Sequence, residues 1–412
     1  MRTLVSNLYK YPLARRLRQL IHSNVEQPHS IYARGHNLAL RGMAARAETM
    51  ARKPMHNHSF DRIAVSSQSS YPGLITRAKT LLPILEVADN FKPADLATKM
   101  FVPFYLSLES TQPQDIIGQI APDVAEKIIS YPTGTFAVRL VDNSGATSQS
   151  LDTSSLPSTT QVEAIAFDKR LRTVNDRSEA IERASLEWRN QGFFPRAIGG
   201  KQWRNERYPI YVHPFKNIGV GGEVAFQLER AACELFGFVT YGAHMTMYTP
   251  DYRIWVPRRS KTKQTWPGFL DNSVAGGIPV GMTPFESMVK ECKEEANLAE
   301  SVARKHLKTA GVVSYIFQNA QGKLHPEVKY VYDMLCPSDD PAFVPKPLDG
   351  EVESFELMNW EAVIEKMKAG EFKRNSALVL IDFLVRHGLV VPENEPNYLE
   401  IVTRMHGRLG FE

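Results

Sequence analysis

The stretch Gly276–Leu298, GGIPVGMTPFESMVKECKEEANL, decides how the rest of this chain is read. Its first seven residues let a strand turn through glycines. Thr283-Pro284-Phe285-Glu286 then starts a helix, with Thr at the N-cap, Pro at the first helical position and Glu in capping-box spacing. Along this helix Phe285, Met288, Val289, Cys292 and Ala296 recur at i, i+3, i+4, i+7 and i+11, so one face is buried. Glu291, Glu294 and Glu295 fall at i, i+3 and i+4 on a different face. Like charges at that spacing repel by roughly a few tenths of a kcal/mol per pair. A divalent cation held by carboxylate oxygens turns this repulsion into a site; without one, the face is simply solvated.

Outward from this helix, the second half of the chain reads as short strands and helices. Strands are expected at Tyr208–Val212, Phe238–Met247, Tyr252–Val256, Gly311–Phe317 and Lys329–Leu335. Helices are expected at Trp360–Lys368 and Asn375–His387, with Asn375 as N-cap and Gly388 closing the end. Upstream, Leu74–Glu86 and Asp115–Ile129 show helical spacing, Thr135–Val141 alternates like a strand, and Asp176–Asn190 is a strong helix ended by Gly192. Asn143–Gln161 is crowded with Ser and Thr and reads as an exposed loop. Nothing between residues 71 and 200 identifies chemistry.

Composition narrows the function classes. The 412 residues are 43% hydrophobic and 23% charged, which suits about two globular domains. The most apolar stretch, Ala377–Val385, is short and carries Asp382, far from the roughly 18–20 residues of a helical membrane span. Cys233, Cys292 and Cys336 are widely spaced and match no zinc or CxxC pattern, which excludes a disulfide scaffold. Residues 1–60 hold ten Lys and Arg against Glu26 and Glu48, a net +8, whereas the remainder holds 39 basic and 43 acidic residues, a net −4. The basic balance therefore belongs to the extension, and no nucleic-acid surface is implied for the body. Within that extension Arg2, Lys10, Arg15, Arg16 and Arg18 interleave with Leu4, Leu8, Leu13, Leu17 and Leu20. This pattern fits a mitochondrial transit peptide, with a disordered basic tail and a cytoplasmic location as the alternative.

With the glycine turn and capped entry in place, Gly276–Leu298 resembles the Nudix box, G-x5-E-x7-R-E-U-x-E-E-x-G-U with U aliphatic. Gly276, Glu291, Glu294, Glu295 and Leu298 match, and Lys290 stands where Arg is usual. Met282 occupies the first Glu position, and Asn297 replaces the late Gly, a mild change at a left-handed helix end. Trp203–Tyr208 (WRNERY), Phe226–Tyr241, Arg258–Gly268 (RRSKTKQTWPG), Asp349–Phe355 and Gly370–Gly388 extend the likeness. Together they resemble a fungal and plant Nudix hydrolase subfamily with an extra N-terminal domain, often labelled thiamine-pyrophosphokinase-related.

The resemblance implies an α+β chain. A C-terminal Nudix fold, a mixed sheet sandwiched by helices at 206–395, is expected behind a smaller α/β domain at 71–205, an extension at 1–70 and a tail at 396–412. It implies hydrolysis of thiamine diphosphate, above all of oxidised or damaged forms, to the monophosphate. Mg²⁺ or Mn²⁺ would be held by Glu291, Glu294 and Glu295, with Glu294 and Glu295 also counted as catalytic. Glu351 or Glu353 would supply a further carboxylate as metal ligand or base. Arg258, Arg259, Lys261 and Lys263, four cations within six residues, would clamp the diphosphate, with Trp266, Gly276 and Gly277 beside it. The expected partner is a small-molecule diphosphate, with neither nucleic acid nor membrane; Nudix folds often dimerise, so a homodimer stays open. Two rivals remain: an isopentenyl-diphosphate isomerase, for which Ser273-Val274-Ala275-Gly276 offers no cysteine, and a diphosphate-binding sensor marked by Met282 and Lys290. A nucleoside diphosphate derivative is the alternative substrate.

Overall fold

The computed structural model describes residues 79–410, apart from 97–100, 110, 133, 142–146, 150–160, 216–221 and 338–339. The transit-peptide pattern, the start of the helix expected at Leu74–Glu86 and most of the Ser/Thr-rich stretch lie outside the described residues.

Helix α1 (Leu82–Ala88) comes first, followed by a sheet of β1 (Val102–Tyr105), β2 (Gly118–Ile120), β3 (Phe136–Val141), β4 (Thr147–Gln149) and β5 (Gln161–Phe167). Its order is β2-β1-β5-β3-β4, with β1 and β5 parallel and the other pairs antiparallel. The helical reading of Asp115–Ile129 is corrected here. Gly118–Ile120 pairs with Val102–Phe104, and helix α2 begins only at Pro122 (Pro122–Ile129). Proline has no N–H to donate and sits well at a first helical position. Gly118 lies so close to its neighbours that an added Cβ would be 2.5 Å from the Phe236 carbonyl oxygen. Helix α3 (Val174–Asn190) is capped by Thr173, which accepts the Asp176 N–H at 3.1 Å, and α4 is the short turn Pro195–Ile198.

The hairpin β6 (Arg207–Tyr211) and β7 (Val224–Glu229), with the short helix α5 (Cys233–Phe236), packs into this same first core. Tyr208, Ile210, Phe226 and Phe236 join Phe104, Phe136 and Trp188 there. A division at 205/206 would cut this core in two; the packing carries it to Phe238.

The second sheet contains β8 (Thr240–Tyr248), β9 (Arg253–Arg259), β10 (Val274–Gly277), β11 (Lys308–Gln318), β12 (Leu324–Leu335) and β13 (Val352–Asn359). Its order is β11-β12-β8-β9-β13, with β10 also paired to β8; β8 and β12 run parallel. Helix α6 (Pro284–Ala296) buries Met288, Val289, Cys292 and Ala296 against one face, alongside Met245 and Met247. Behind it come α7 (Glu300–His306), α8 (Trp360–Lys368) and α9 (Arg374–Arg386), and α9 covers the other face together with Ile254, Val313 and Val331. The result is a mixed sheet sandwiched by helices, in an α+β chain, as expected.

Residues 396–412, read as a tail, contain helix α10 (Tyr398–Met405), whose Ile401 and Met405 join the core beside α9. Helix α1 packs there too, so the start and end of the described chain close the second core rather than the first. Lys373, not Asn375, precedes α9, while Gly388 takes the expected left-handed conformation. All three cysteines are free and buried. Among the described residues no helix is long and apolar enough to cross a membrane.

Candidate active site

The start of α6 behaves as its sequence requires. Thr283 accepts the Glu286 N–H at 3.2 Å, and Asn297 ends the helix in the left-handed region at φ 52°. The Glu286 carboxylate does not close a capping box; it pairs with Arg304 at 2.6 Å. This helix lies against β10, and the contact explains the glycines. An added Cβ on Gly276 would be 2.3 Å from the Glu291 carboxyl carbon, and one on Gly277 would be 1.9 Å from the Tyr208 hydroxyl. Both glycines thus provide the close approach between elements, and both line the cavity described below.

The three carboxylates of α6 reach different partners. Glu295, buried, accepts the Ala275 N–H at 3.0 Å. Burial, with Glu291 nearby, raises its pKa well above the usual carboxylate range. Glu291 lies over Gly276; burial pushes its carboxyl up and Lys290 pulls it partly back. Lys290 Nζ stands 3.4 Å from Glu291 and 2.5 Å from the more exposed Glu294. No ready-made cage of three or more Asp, Glu, His or Cys side chains occurs among the described residues. The donor chemistry nevertheless fits a divalent cation. All candidate donors are hard oxygens, Gly276 leaves the Glu291 carboxyl a berth, and Glu291 and Glu295 disfavour each other's ionisation until a positive charge compensates them. At present the Lys290 ammonium takes part of that role.

A cavity of about 570 Å³ opens over this helix and collects much of the expected set. Arg259, Lys263, Trp266, Gly276, Gly277, Glu291, Glu294, Glu295 and Glu351 line it; Arg258, Lys261 and Glu353 do not. Arg258 donates to the Gly268 carbonyl at 2.8 Å and faces Glu371, a consequence of strand alternation that sends neighbours Arg258 and Arg259 to opposite sides. Lys261 is 81% exposed and stands 3.8 Å from Glu353. Arg259 is buried and largely spent on structure: it pairs with Asp271 at 2.7 Å and donates to the Trp266 and Thr265 carbonyls. Lys263 pairs with Glu351. Burial, with Arg259 nearby, lowers its pKa.

Residues to which no role attached in the sequence also line the cavity, among them His244, Tyr315, Glu327, Lys329 and Lys373; Asp271 and Asn272 pair with Lys373 and His244 without lining it themselves. Buried Asp271 accepts from Arg259 and Ser376 and lies 3.5 Å from Lys373. Burial alone would raise its pKa, but Lys373 and Arg259 outweigh it and hold the carboxylate ionised. The Asn272 side-chain amide donates to the Ser376 carbonyl, so its Oδ1 accepts from His244 Nδ1 at 2.7 Å. Burial, then Lys373 and Lys329, push the His244 pKa down to about 3, leaving a neutral imidazole. On β11 and β12, Glu327 takes both Lys329 and the Tyr315 hydroxyl. Its pKa falls to about 2, because these partners overcome burial.

The first core adds a further wall of Arg204, Glu206, Tyr208 and Arg230, with Arg230 2.6 Å from Glu206. Arg204, Glu206 and Tyr208 lie in WRNERY, Arg230 in Phe226–Tyr241, and Lys373 and Ser376 in Gly370–Gly388, inside the segments that carried the family likeness. Their charge was visible; their convergence was not.

Comparison with known proteins agrees with this division. Residues 84–240 match a domain of unknown function, DUF4743, and residues 240–378 match the NUDIX domain. The chain is similar to an uncharacterised protein of Saccharomyces cerevisiae, 45% identical over 52% of this chain and 64% of that one. It is also similar to two Arabidopsis thaliana proteins. These are Nudix hydrolase 20, chloroplastic (38% identical, 59% of this chain and 62% of that one), and Nudix hydrolase 24, chloroplastic (36%, 58% and 62%). The chain thus spans somewhat less than two thirds of the length of each.

Proposed function

From the Nudix domain at residues 240–378, we propose that this chain hydrolyses a phosphoanhydride bond in a small organic diphosphate. The observation that supports it most is the carboxylate face of α6, seated against β10 at the bottom of a cavity with cationic walls. Glu291, Glu294 and Glu295 would hold Mg²⁺ or Mn²⁺. Such a cation, when bound, supplies charge neutralisation at the phosphoanhydride and Lewis-acid activation of the attacking water.

The protein's own groups do the rest. The Ala275 N–H orients Glu295, Gly276 fixes the depth of Glu291, and Lys263 with Glu351 forms an acid–base pair at the cavity wall. Glu351, which lines the cavity, is the outer carboxylate that would accept a proton from water, whereas Glu353 does not line it and stands 3.8 Å from Lys261. Cationic groups at the wall stabilise charge on the departing phosphate.

The finer substrate reading is thiamine diphosphate, in oxidised or damaged form, cleaved to the monophosphate. The sequence resemblance supports it, and a nucleoside diphosphate derivative is its competitor. The location proposed is mitochondrial, from the basic amphipathic pattern of the first 20 residues, while two plant relatives carry a chloroplastic name. A sensor without turnover is the second reading, favoured by one observation: Lys290 already compensates Glu291 and Glu294.

The test is hydrolysis with Mg²⁺ of thiamine diphosphate, its oxidised analogues, ADP-ribose, NADH and isopentenyl diphosphate, read by chromatography. Monophosphate released fastest from a thiamine compound, and lost in Glu295→Gln, carries the reading. Faster release from ADP-ribose or NADH keeps the hydrolase and removes thiamine; no turnover with either metal favours the sensor.

A further inference from the structure

Arg204 lies in the loop between α4 and β6, next to Trp203, which packs against the first core, yet it lines the cavity above α6. The loop is held firmly. Buried Glu229 accepts the backbone N–H groups of Arg204 and Glu206, each at 3.0 Å, and that of Ala231 at 3.3 Å. The following strand docks on the glycine turn: Tyr208 fills the space beside Gly277, and Val280 N–H donates to the Arg207 carbonyl at 3.3 Å.

Arg230, Arg259, Lys263 and Lys290 are each matched to a carboxylate. The half-buried Arg204 guanidinium has no ion-pair or hydrogen-bond partner among the described residues. Burial depresses its pKa most and Arg230 adds to that, while Tyr208 and Glu206 offset part of the effect and Arg259 contributes least. A partly desolvated guanidinium that no carboxylate among the described residues contacts gains from an arriving anion, and its planar fork suits a phosphate.

We propose that Arg204 binds a phosphate of the substrate, so that the N-terminal domain contributes an anion-binding residue to the cavity of the Nudix domain. This rests on the diphosphate reading above, but its test does not require turnover. The probe is inorganic pyrophosphate with Mg²⁺, titrated calorimetrically into the full chain and into Arg204→Gln, Arg204→Lys and the control Arg253→Gln. Arg253 is chosen because it pairs with Asp251 and does not line the cavity.

Loss of one charge-assisted contact should weaken pyrophosphate about tenfold or more in Arg204→Gln. Lysine should restore part of the affinity, and the control should leave it unchanged. Arg204→Gln should melt with the parent, and where turnover is seen, KM should rise by a similar factor while kcat changes less. Affinity within about twofold of the parent in Arg204→Gln overturns the proposal, as does a parent that does not bind pyrophosphate. Binding through Arg204 without hydrolysis of any panel compound keeps it and sinks the hydrolase reading. Hydrolysis with KM and pyrophosphate affinity indifferent to Arg204 does the reverse.

Discussion

Replacing Gly276 by Ala should separate folding from function. The added Cβ would lie 2.3 Å from the Glu291 carboxyl carbon and 2.5 Å from its Cγ and Oε1, too close for any real contact. The obstacle is the far end of a flexible side chain, so Glu291 gives way and the backbone stays. Holding a side chain off its preferred rotamer costs about 0.5–1.5 kcal/mol. Removing a glycine from an ordinary extended position returns about 0.4–1 kcal/mol through the unfolded state. The two nearly cancel, so the melting temperature should shift by no more than about 4 °C. Function has no such compensation: displacing a catalytic-site group by about 1 Å is enough to lose on the order of 10²-fold in rate. The assay pairs a thermal melt with Mg²⁺-dependent release of monophosphate from whichever panel compound turns over. Full activity with unaltered Mg²⁺ dependence would refute the packing of Glu291 on Gly276, and so would gross unfolding.

Other substitutions test the neighbouring structure. Gly237→Ala should destabilise by about 2–4 kcal/mol in urea titration, because φ is +59° and the new Cβ would be 2.3 Å from the Gln119 carbonyl oxygen. An unchanged midpoint would show that the α5 corner is not so built. Asp271→Asn leaves Arg259 and Lys373 buried without their carboxylate and should cost about 3–5 kcal/mol; a loss under about 1 kcal/mol would contradict the network. Glu295 carries a raised folded pKa, so the folded state binds its proton more tightly than the unfolded chain does. Without divalent cation, its contribution to stability is complete below the ordinary carboxylate range and is lost as pH rises through the raised value. Glu295→Gln should flatten that part of the pH–stability profile, and an identical slope in both proteins would count against it.

The legible parts of this chain were those governed by local rules. Thr283 and Pro284 start α6 where the capping pattern places them, Asn297 ends it, and the i, i+3, i+4 spacing puts Met288 and Cys292 in the core with the glutamates elsewhere. The strand read at Tyr208–Val212 is displaced by one residue from β6, and that read at Gly311–Phe317 falls short of β11 at both ends. The misses share another cause. Ile116 and Ile117 fit a helical period, but the residues just after them join a strand because Val102–Phe104 offers an edge to pair with. The basic loop reads as a single clamp, yet adjacent side chains on β9 diverge, which takes Arg258 away from Arg259, and Lys261 sits exposed in the turn after the strand, so only Arg259 and Lys263 line the cavity.

The amino-acid sequence by itself determined the Nudix-like helix, its entry, its exit and the placing of three carboxylates on one face, because 3.6-residue periodicity and capping act within a few turns. Which charges meet across the cavity was decided only by tertiary structure. Glu206 and Arg230 come from the wall added by the first core, Glu327 and Lys329 from β12, and Lys373 from the entry to α9, where it meets Asp271 from a loop about a hundred residues earlier. Coulomb and desolvation energies depend on distance and burial in space. The raised carboxyl of Glu295, the neutral His244 and the unpaired guanidinium of Arg204 therefore exist only once the two cores are folded against the cavity.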